Sequence, residues 1–438
     1  MLRYSEIITA MQYTRFNLSD PLNTSSDAPY KISYQYAGGS APGDLPTSME
    51  YSGWRRMNWA EKANFQAALT HIESFLNVEF VQVQRTDDPD LNVAAVSLPG
   101  ATIGSGGYSI RYQGSKITDW DGFVAYDATL DLSSGHYVDL LLHELGHAMG
   151  LRHTFEADDK LPQEYDSNLY SVMSYRANPH NGEDSDAMML FDILALQDIW
   201  GAASHNEDNT RYTGCRTTTV DSIWDTGGID ILDADGRQHG VTLDLRQGAF
   251  SSFDSSHDVV IAFGSVIERA IGARGADRLI GNGLDNVLHG YGGHDYLVGK
   301  AGNDRITGGW GRDTLRGDDG DDRLLGGHGR DRLWGGAGDD RLVGNGGKDR
   351  LDGQAGDDLL TGGYGDDIFI FKWRGGHDTV SDFVALEDRL KITGHGSHSD
   401  ILDQAYDSAE GVVFDFDTDS SLLLRDVTLA SLGEDFLI

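Results

Sequence analysis

From Gly272 to Ile370 the chain is a nonapeptide array in which eleven units of nine fill 99 residues without a gap. A period that strict decides the architecture before anything else is read. Units such as GGHGRDRLW at 326–334 and GGAGDDRLV at 335–343 follow the pattern G-G-x-G-x-D-x-U-x, with glycine first in all eleven and Asp sixth in ten. Glycine lets a six-residue loop turn tightly, and the other three residues suit a short strand whose middle residue faces inward. That residue is Leu279, Leu288, Leu297, Ile306, Leu315, Leu324, Leu333, Leu342, Leu351, Leu360 and Phe369, which predicts one thin aliphatic stack. A flexible Gly-rich linker has no such obligate apolar residue every nine positions.

The pattern resembles the calcium-binding repeat of the repeats-in-toxin proteins. A carboxylate with loop carbonyls offers the hard oxygens that calcium takes, and the candidates are Asp277, Asp295, Asp304, Asp313, Asp322, Asp331, Asp340, Asp349, Asp358 and Asp367. The resemblance implies two nonapeptides per coil and calcium held between loops two repeats apart, hence at most five sites on one side and four on the other. Unit 281–289, GNGLDNVLH, has Leu284 for the fourth glycine and Asn286 for Asp, so sites touching it are expected to be weak or missing.

A second feature precedes the array, HELGHAMGLRH at 143–153. His143 and His147 are i and i+4, so they share one helical face with Glu144 beside them. At ~1.5 Å rise per residue His153 would lie roughly 9 Å past His147, too far for zinc–nitrogen bonds of about 2.0–2.1 Å. The chain must turn back, and Gly150 is placed to do so at φ > 0. SVMSY at 171–175 adds Met173 and Tyr175. The pattern H-E-x-x-H-x-x-G-x-x-H with a methionine turn resembles the metzincin metalloproteases. That resemblance implies zinc on His143, His147 and His153, a fourth position open to a water acidified toward pKa ~7, and Glu144 as base rather than ligand. It gives Met173 a packing role and lets Tyr175 reach the metal or the oxyanion, with a plain core tyrosine as the alternative. The bland reading is an amphipathic core helix, VDLLLHELGHAMGL; three histidines, a glutamate and a glycine at all the required spacings weigh against it.

At 438 residues the chain can hold two or three domains. No apolar run approaches eighteen, so no transmembrane helix is expected. The N-terminus, MLRYSEIITAMQY, lacks an apolar h-region and a cleavage site, so no Sec-type signal peptide is expected. The single cysteine, Cys215, permits no intrachain disulfide and no pro-segment thiol capping the zinc. Of the net charge of −36, only −6 lies in the array, with −21 in residues 1–271 and −9 in 371–438. Arg323, Arg332 and Arg341, outward at the seventh position, offset the loop carboxylates. So acidic a surface opposes nucleic-acid or anionic-membrane binding. No motif points to an oligomer, and a monomer is expected.

Residues 1–28 read as an N-terminal arm, a possible pro-segment. KISYQYA at 31–37 alternates as a strand, and Asn58 with Glu61 forms an N-cap and N3 pair opening a helix to about Leu76. VEFVQVQ is a second strand and LNVAAVSL at 91–98 a third, either an ordinary core strand or, as its match to serralysins suggests, an open edge that pairs with substrate. MMLFDILALQDIWGA at 188–202 reads as the closing helix of a catalytic domain spanning 29–204. A connecting β segment at 205–271, the array at 272–370 and a C-terminal β region with a secretion signal at 371–438 complete the division.

Together, the metzincin motif, MSY and the array resemble a serralysin, a type I secreted metalloprotease. Further matching segments are DILALQDIWGA at 192–202, IWDTGGID at 223–230, DTVSDFVALEDRLKI and the closing DFLI. The resemblance implies an α+β metzincin catalytic domain followed by an all-β C-terminal domain, a parallel β-roll with a flanking β-sandwich. It implies a further calcium on Asp225 and Asp230, for which an ordinary turn is the alternative. It also implies an export signal at Asp435, Phe436, Leu437 and Ile438 read by a type I transporter, and extracellular folding driven by calcium. The segment between His153 and Met173 is short for this family, NTRYTGCRTTT at 209–219 matches its calcium loop only partly, and Arg152 and Thr154 depart from its commoner residues. The function implied is a secreted zinc endopeptidase acting on extracellular proteins and activated by calcium. The alternatives are a repeats-in-toxin adhesin or toxin with a binding-only metzincin domain, and a zinc hydrolase of non-peptide substrates.

Overall fold

The computed structural model describes residues 2–13, 22, 27–42, 51–84, 88–113, 116–156, 160–214, 219–255, 257–394, 396–433 and 436–438. Cys215, Asp435 and part of the N-terminal arm lie outside these. The chain divides into two compact units, the first comprising Met1–Glu207, Cys215–Gly227 and His257–Ser265, the second Asp208–Gly214, Gly228–Ser256 and Val266–Ile438. The connecting segment expected at 205–271 is thus shared between them.

In the first unit the elements are α1 (Tyr4–Met11), β1 (Tyr30–Tyr36), β2 (Ser52–Arg55), α2 (Trp59–Glu73), β3 (Val78–Gln82), β4 (Leu91–Ser97), β5 (Gly104–Gln113), β6 (Lys116–Asp127), α3 (Val138–Ala148) and α4 (Leu190–Trp200). The sheet order is β3-β1-β4-β6-β5, with β2 also on β4. β1, β3, β4 and β6 run parallel, and β5 is antiparallel to β6. Leu91 to Val96 are all buried, as a strand covered on both faces must be. The possibility that 91–98 forms an open edge is therefore corrected: β4 has neighbours on both sides, and the strands that end the order are β3 and β5.

Helix α2 starts where its capping box predicts, with Asn58 Oδ1 accepting the Glu61 N–H at 3.0 Å and Glu61 Oε2 accepting the Asn58 N–H at 2.7 Å. Every residue of α3 from Leu140 to Ala148 is buried, so this helix runs through the core. The arm is not structureless. Ile7, Ala10 and Met11 of α1 are buried, and Arg152 clasps its end by donating from Nε to the Ala10 carbonyl at 2.9 Å and from Nη2 to that of Thr9 at 2.5 Å.

The second unit is built on two parallel sheets. Arg278–Ile280, Tyr296–Ala301, Thr314–Asp319, Arg332–Ala337, Arg350–Ala355 and Ile368–Lys372 form one, and Val287–Gly293, Arg305–Gly311, Arg323–Gly329, Arg341–Gly347 and Leu359–Tyr364 the other. Each array strand pairs with the strand two units on, as in Leu297 with Leu315 and Ile306 with Leu324. The eleven inward positions are at most 1% exposed, so the predicted stack is the core. Coils without the motif extend it at both ends, through Thr242–Asp244 and Ile231–Asp233 before and His377–Val380 and Arg389–Thr393 after. The expected flanking β-sandwich is realised as more of the same sheets, with Ser420–Arg425 parallel to His377–Val380 and Gly411–Asp417 antiparallel to Ser420–Arg425. Among the described residues no helix is long and apolar enough to cross a membrane.

Candidate metal and catalytic centre

Helix α3 places His143 and His147 one turn apart, and the chain reverses at Gly150, whose φ is 112°. His153 then returns over them. Its Nε2 lies 3.2 Å from His143 Nε2 and 3.1 Å from His147 Nε2, and one ligand atom from each imidazole falls within 4.8 Å of the other two. Corners of a tetrahedron with bonds of about 2.05 Å are separated by about 3.3 Å, so the spacing fits a shared metal ion.

The tautomers agree. His143 Nδ1–H donates to the Val172 carbonyl at 2.8 Å and His147 Nδ1–H to the Leu151 carbonyl at 2.9 Å, and since a carbonyl can only accept, both rings turn a bare Nε2 inward. Burial holds both rings neutral, pushing His143 down to about 4 and His147 to about 3. His153 donates from Nδ1 to Glu156 Oε1 at 2.6 Å. Bare nitrogens this close repel one another unless a cation lies among them. The Tyr175 hydroxyl donates to His153 Nε2 at 2.7 Å while the residue is 70% exposed, so it faces the site from solvent and is no core tyrosine.

Glu144 is 6% exposed, and burial pushes its carboxyl up to about 8 against the opposing Gly106 N–H. Edge strand β5 comes this close because GSGG at 104–107 has almost no side chains. A Cβ on Gly104 would overlap the Glu144 side chain, and one on Gly106 its backbone carbonyl. Met173 is fully buried, and a Cβ on Gly146 would stand 2.6 Å from its Sδ. The methionine packs beneath the ligand helix, as expected.

Several contributors were not found from sequence. Asp192 of α4, fully buried, accepts the Val172 N–H at 2.8 Å, the Ser171 hydroxyl at 2.6 Å and the Met189 N–H at 2.9 Å. It thereby fixes the carbonyl that orients His143. Its segment was visible as a match, but its role depends on tertiary placement. Thr154, one of the departures noted above, donates to Asp166, which also accepts the Ser174 hydroxyl at 2.8 Å. It ties the third-histidine loop to the methionine turn.

In the second unit the repeat aspartates form two ladders. From Asp295 onward each Oδ1 accepts the backbone N–H of the residue one coil earlier, as from Asp277 to Asp295 and from Asp304 to Asp322, both at 2.8 Å, with Asn286 standing in as donor to Asp304 at 2.7 Å. The Oδ2 atoms of Asp295, Asp304, Asp313, Asp322, Asp331, Asp340, Asp349, Asp358 and Asp367 are buried without a hydrogen-bond partner. They fall five on one side and four on the other. Unmatched carboxylate oxygens are costly, and burial pushes Asp295, Asp304 and Asp340 up to about 8. Hard anionic oxygens in this setting fit calcium. Asp277 differs: Val241 N–H and Ala273 N–H occupy both its oxygens at 2.8 and 2.6 Å. Asn286 donates its amide to the Glu268 carbonyl and Asn282 Oδ1, at 3.2 and 3.1 Å. Beyond the array, Asp378 and Asp388 continue the ladders, accepting from Asp358 at 3.2 Å and Asp367 at 2.9 Å; their spacings of 20 and 21 residues had concealed them. Asp225 lies in the first unit, where its Oδ1 accepts the Gly227 N–H at 3.2 Å. Asp230 lies in the second, where its Oδ1 accepts the Thr210 N–H at 2.7 Å.

The family model described as Peptidase M10 serralysin C terminal matches residues 194–434, more than half of the chain. The chain belongs to the serralysin-type metalloproteases. Among curated serralysins it is similar to one from Photorhabdus luminescens, 30% identical over 57% of each chain, and to Serralysin B of Dickeya chrysanthemi, 31% identical over 54% of this chain and 53% of that one. A serralysin of Proteus mirabilis is 34% identical over 39% of this chain and 40% of its own. The match therefore spans between 40% and 57% of the length of these relatives. The family model begins after the histidine motif, so the roles of the serralysin-type centre rest on its own geometry.

Proposed function

We propose that this protein is a secreted zinc endopeptidase whose fold is completed by calcium. The single observation that carries the reading is the convergence of three bare imidazole nitrogens, 3.1–3.2 Å apart where His153 meets the other two, beside one buried carboxylate. His143, His147 and His153 would hold the zinc, which when bound supplies Lewis acidity toward a scissile carbonyl and toward water. Glu144 takes a proton from the attacking water and passes it to the leaving amine, as a carboxylate held beside the three imidazoles can do. The Gly106 N–H orients that carboxylate. Tyr175, hinged at the exposed rim, donates its hydroxyl to the developing oxyanion. Strand β5, which ends the strand order among the described residues, offers backbone partners to an extended protein segment.

The ten repeat aspartates proposed from sequence are the calcium ligands, with support strongest for the nine whose Oδ2 is unmatched. Asp225 and Asp230 remain a secondary calcium proposal. Export through a type I transporter belongs to the same reading. Phe436 and Leu437 are buried in the folded chain, so such a signal would be legible only before folding. A binding-only domain has no chemical use for Glu144.

Casein hydrolysis tests the proposal. Protein refolded with zinc and calcium should cleave casein, lose the activity to a zinc chelator and regain it on zinc addition. Intact casein and gelatin under those conditions would rule out the protease reading.

A further inference from the structure

Beside Glu144 a cavity of about 510 Å³ opens between the first turns of α3, the residues before β5 and the methionine turn. Its walls include Ile103, Leu140 and Val172, while Asp139 and Asp184 line it as well. Asp139 stands in the first turn of α3, one helical turn before His143, and is half-buried; Asp184 is exposed. Among the described residues no Lys or Arg lines the cavity, and neither aspartate makes an ion pair. Burial, joined by the nearby charge of Asp184, pushes the Asp139 carboxyl up against the opposing Leu140 N–H and the His136 ring. Two aspartates thus line a partly apolar space to which no Lys or Arg among the described residues contributes. A long cationic side chain matches such a space, laying its methylenes on the aliphatic wall and its head against the acids.

We infer that this cavity is a specificity pocket for a lysine or arginine side chain flanking the scissile bond, with Asp139 and Asp184 as its determinants. The inference rests on the proteolytic reading above and names the substrate class of that site. Neither residue belongs to the metal or proton-transfer set, so their effect falls on discrimination between side chains.

Full-length protein loaded with zinc and calcium is tested with two sets of probes. Peptides carrying Lys, Arg, Leu or Glu at each position flanking the bond are read as kcat/KM, and dipeptide hydroxamates with the same side chains as Kd by calorimetry. At one flanking position, Lys and Arg should exceed Glu at least tenfold in both readouts. The ratio should fall to threefold or less in the Asp139→Asn, Asp184→Asn double variant, with each single variant between. A wild-type Lys-to-Glu ratio near one, or a ratio that survives in the double variant, overturns the inference while peptide cleavage stands. Lysine-selective hydroxamate binding without cleavage of any peptide supports the pocket and overturns the proteolytic reading instead.

Discussion

Gly104 and Gly106 hold the space in which Glu144 works, and they illustrate how a catalytic residue depends on what its neighbours lack. A methyl at Gly104 would meet Oε1 of the Glu144 carboxylate first and displace it. Gly104→Ala is therefore expected to lower kcat on casein by tenfold or more, as a misplaced base costs, while bound zinc stays at one per chain. Loss of zinc in this variant would show instead that the edge strand supports the ligands. The three histidines were legible because their spacing is helical geometry plus one turn at Gly150. Glu156, Asp166 and Asp192 were not, since nothing local announces that a distant carboxylate will accept from a ligand histidine or brace the loop behind it.

Strands and helices show the same division between local and tertiary information. Helix α2 was legible from Asn58 and Glu61 because a capping box is a local exchange of hydrogen bonds. Burial alone would raise the Glu61 carboxyl, but pairing with Arg55 at 2.7 and 2.8 Å and the Asn58 N–H outweigh it and hold it below its ordinary value. A lowered folded-state pKa stabilises the fold above the unfolded value near 4.5 and loses that contribution as pH falls through the folded one. Glu61→Gln should accordingly destabilise the first unit by about 1–3 kcal/mol at pH 7. Its deficit relative to wild type should shrink as thermal unfolding is repeated toward pH 3; a deficit independent of pH would mean that the pair is not the source. Strand β4 and the edge strand β5 were harder. The apolar run at 91–96 fits any covered strand, and only the pairing of 104–127 as a hairpin reveals which strand is left at the edge. Asp378 and Asp388 escaped the repeat because insertions break its period while the coil geometry continues.

Across the whole molecule, the array's stack and the acidic surface have different origins. The aliphatic core is one residue wide, and nine buried carboxylate oxygens along it have no protein partner, so the roll is expected to depend on bound cations. Each site filled to a hundred times its Kd would add about 2.7 kcal/mol to the folded state. Circular dichroism of the full chain should lose much of its β signal in a calcium chelator and recover it at millimolar calcium. An unchanged spectrum would mean that the aspartate ladders stand without metal. The roll was legible from sequence because each unit repeats its own instructions. How Asp277 and Asn286 leave the pattern was legible only in part, since their satisfaction by Ala273 and Glu268 depends on the coil. If three histidines hold zinc while Glu144 moves the proton, Glu144→Gln separates the two roles. Zinc titration and casein hydrolysis on the same preparation should give one zinc per chain, as in wild type, with the rate down by roughly 10² or more. Near-wild-type hydrolysis by this variant, with zinc bound, would exclude Glu144 as the group that moves the proton.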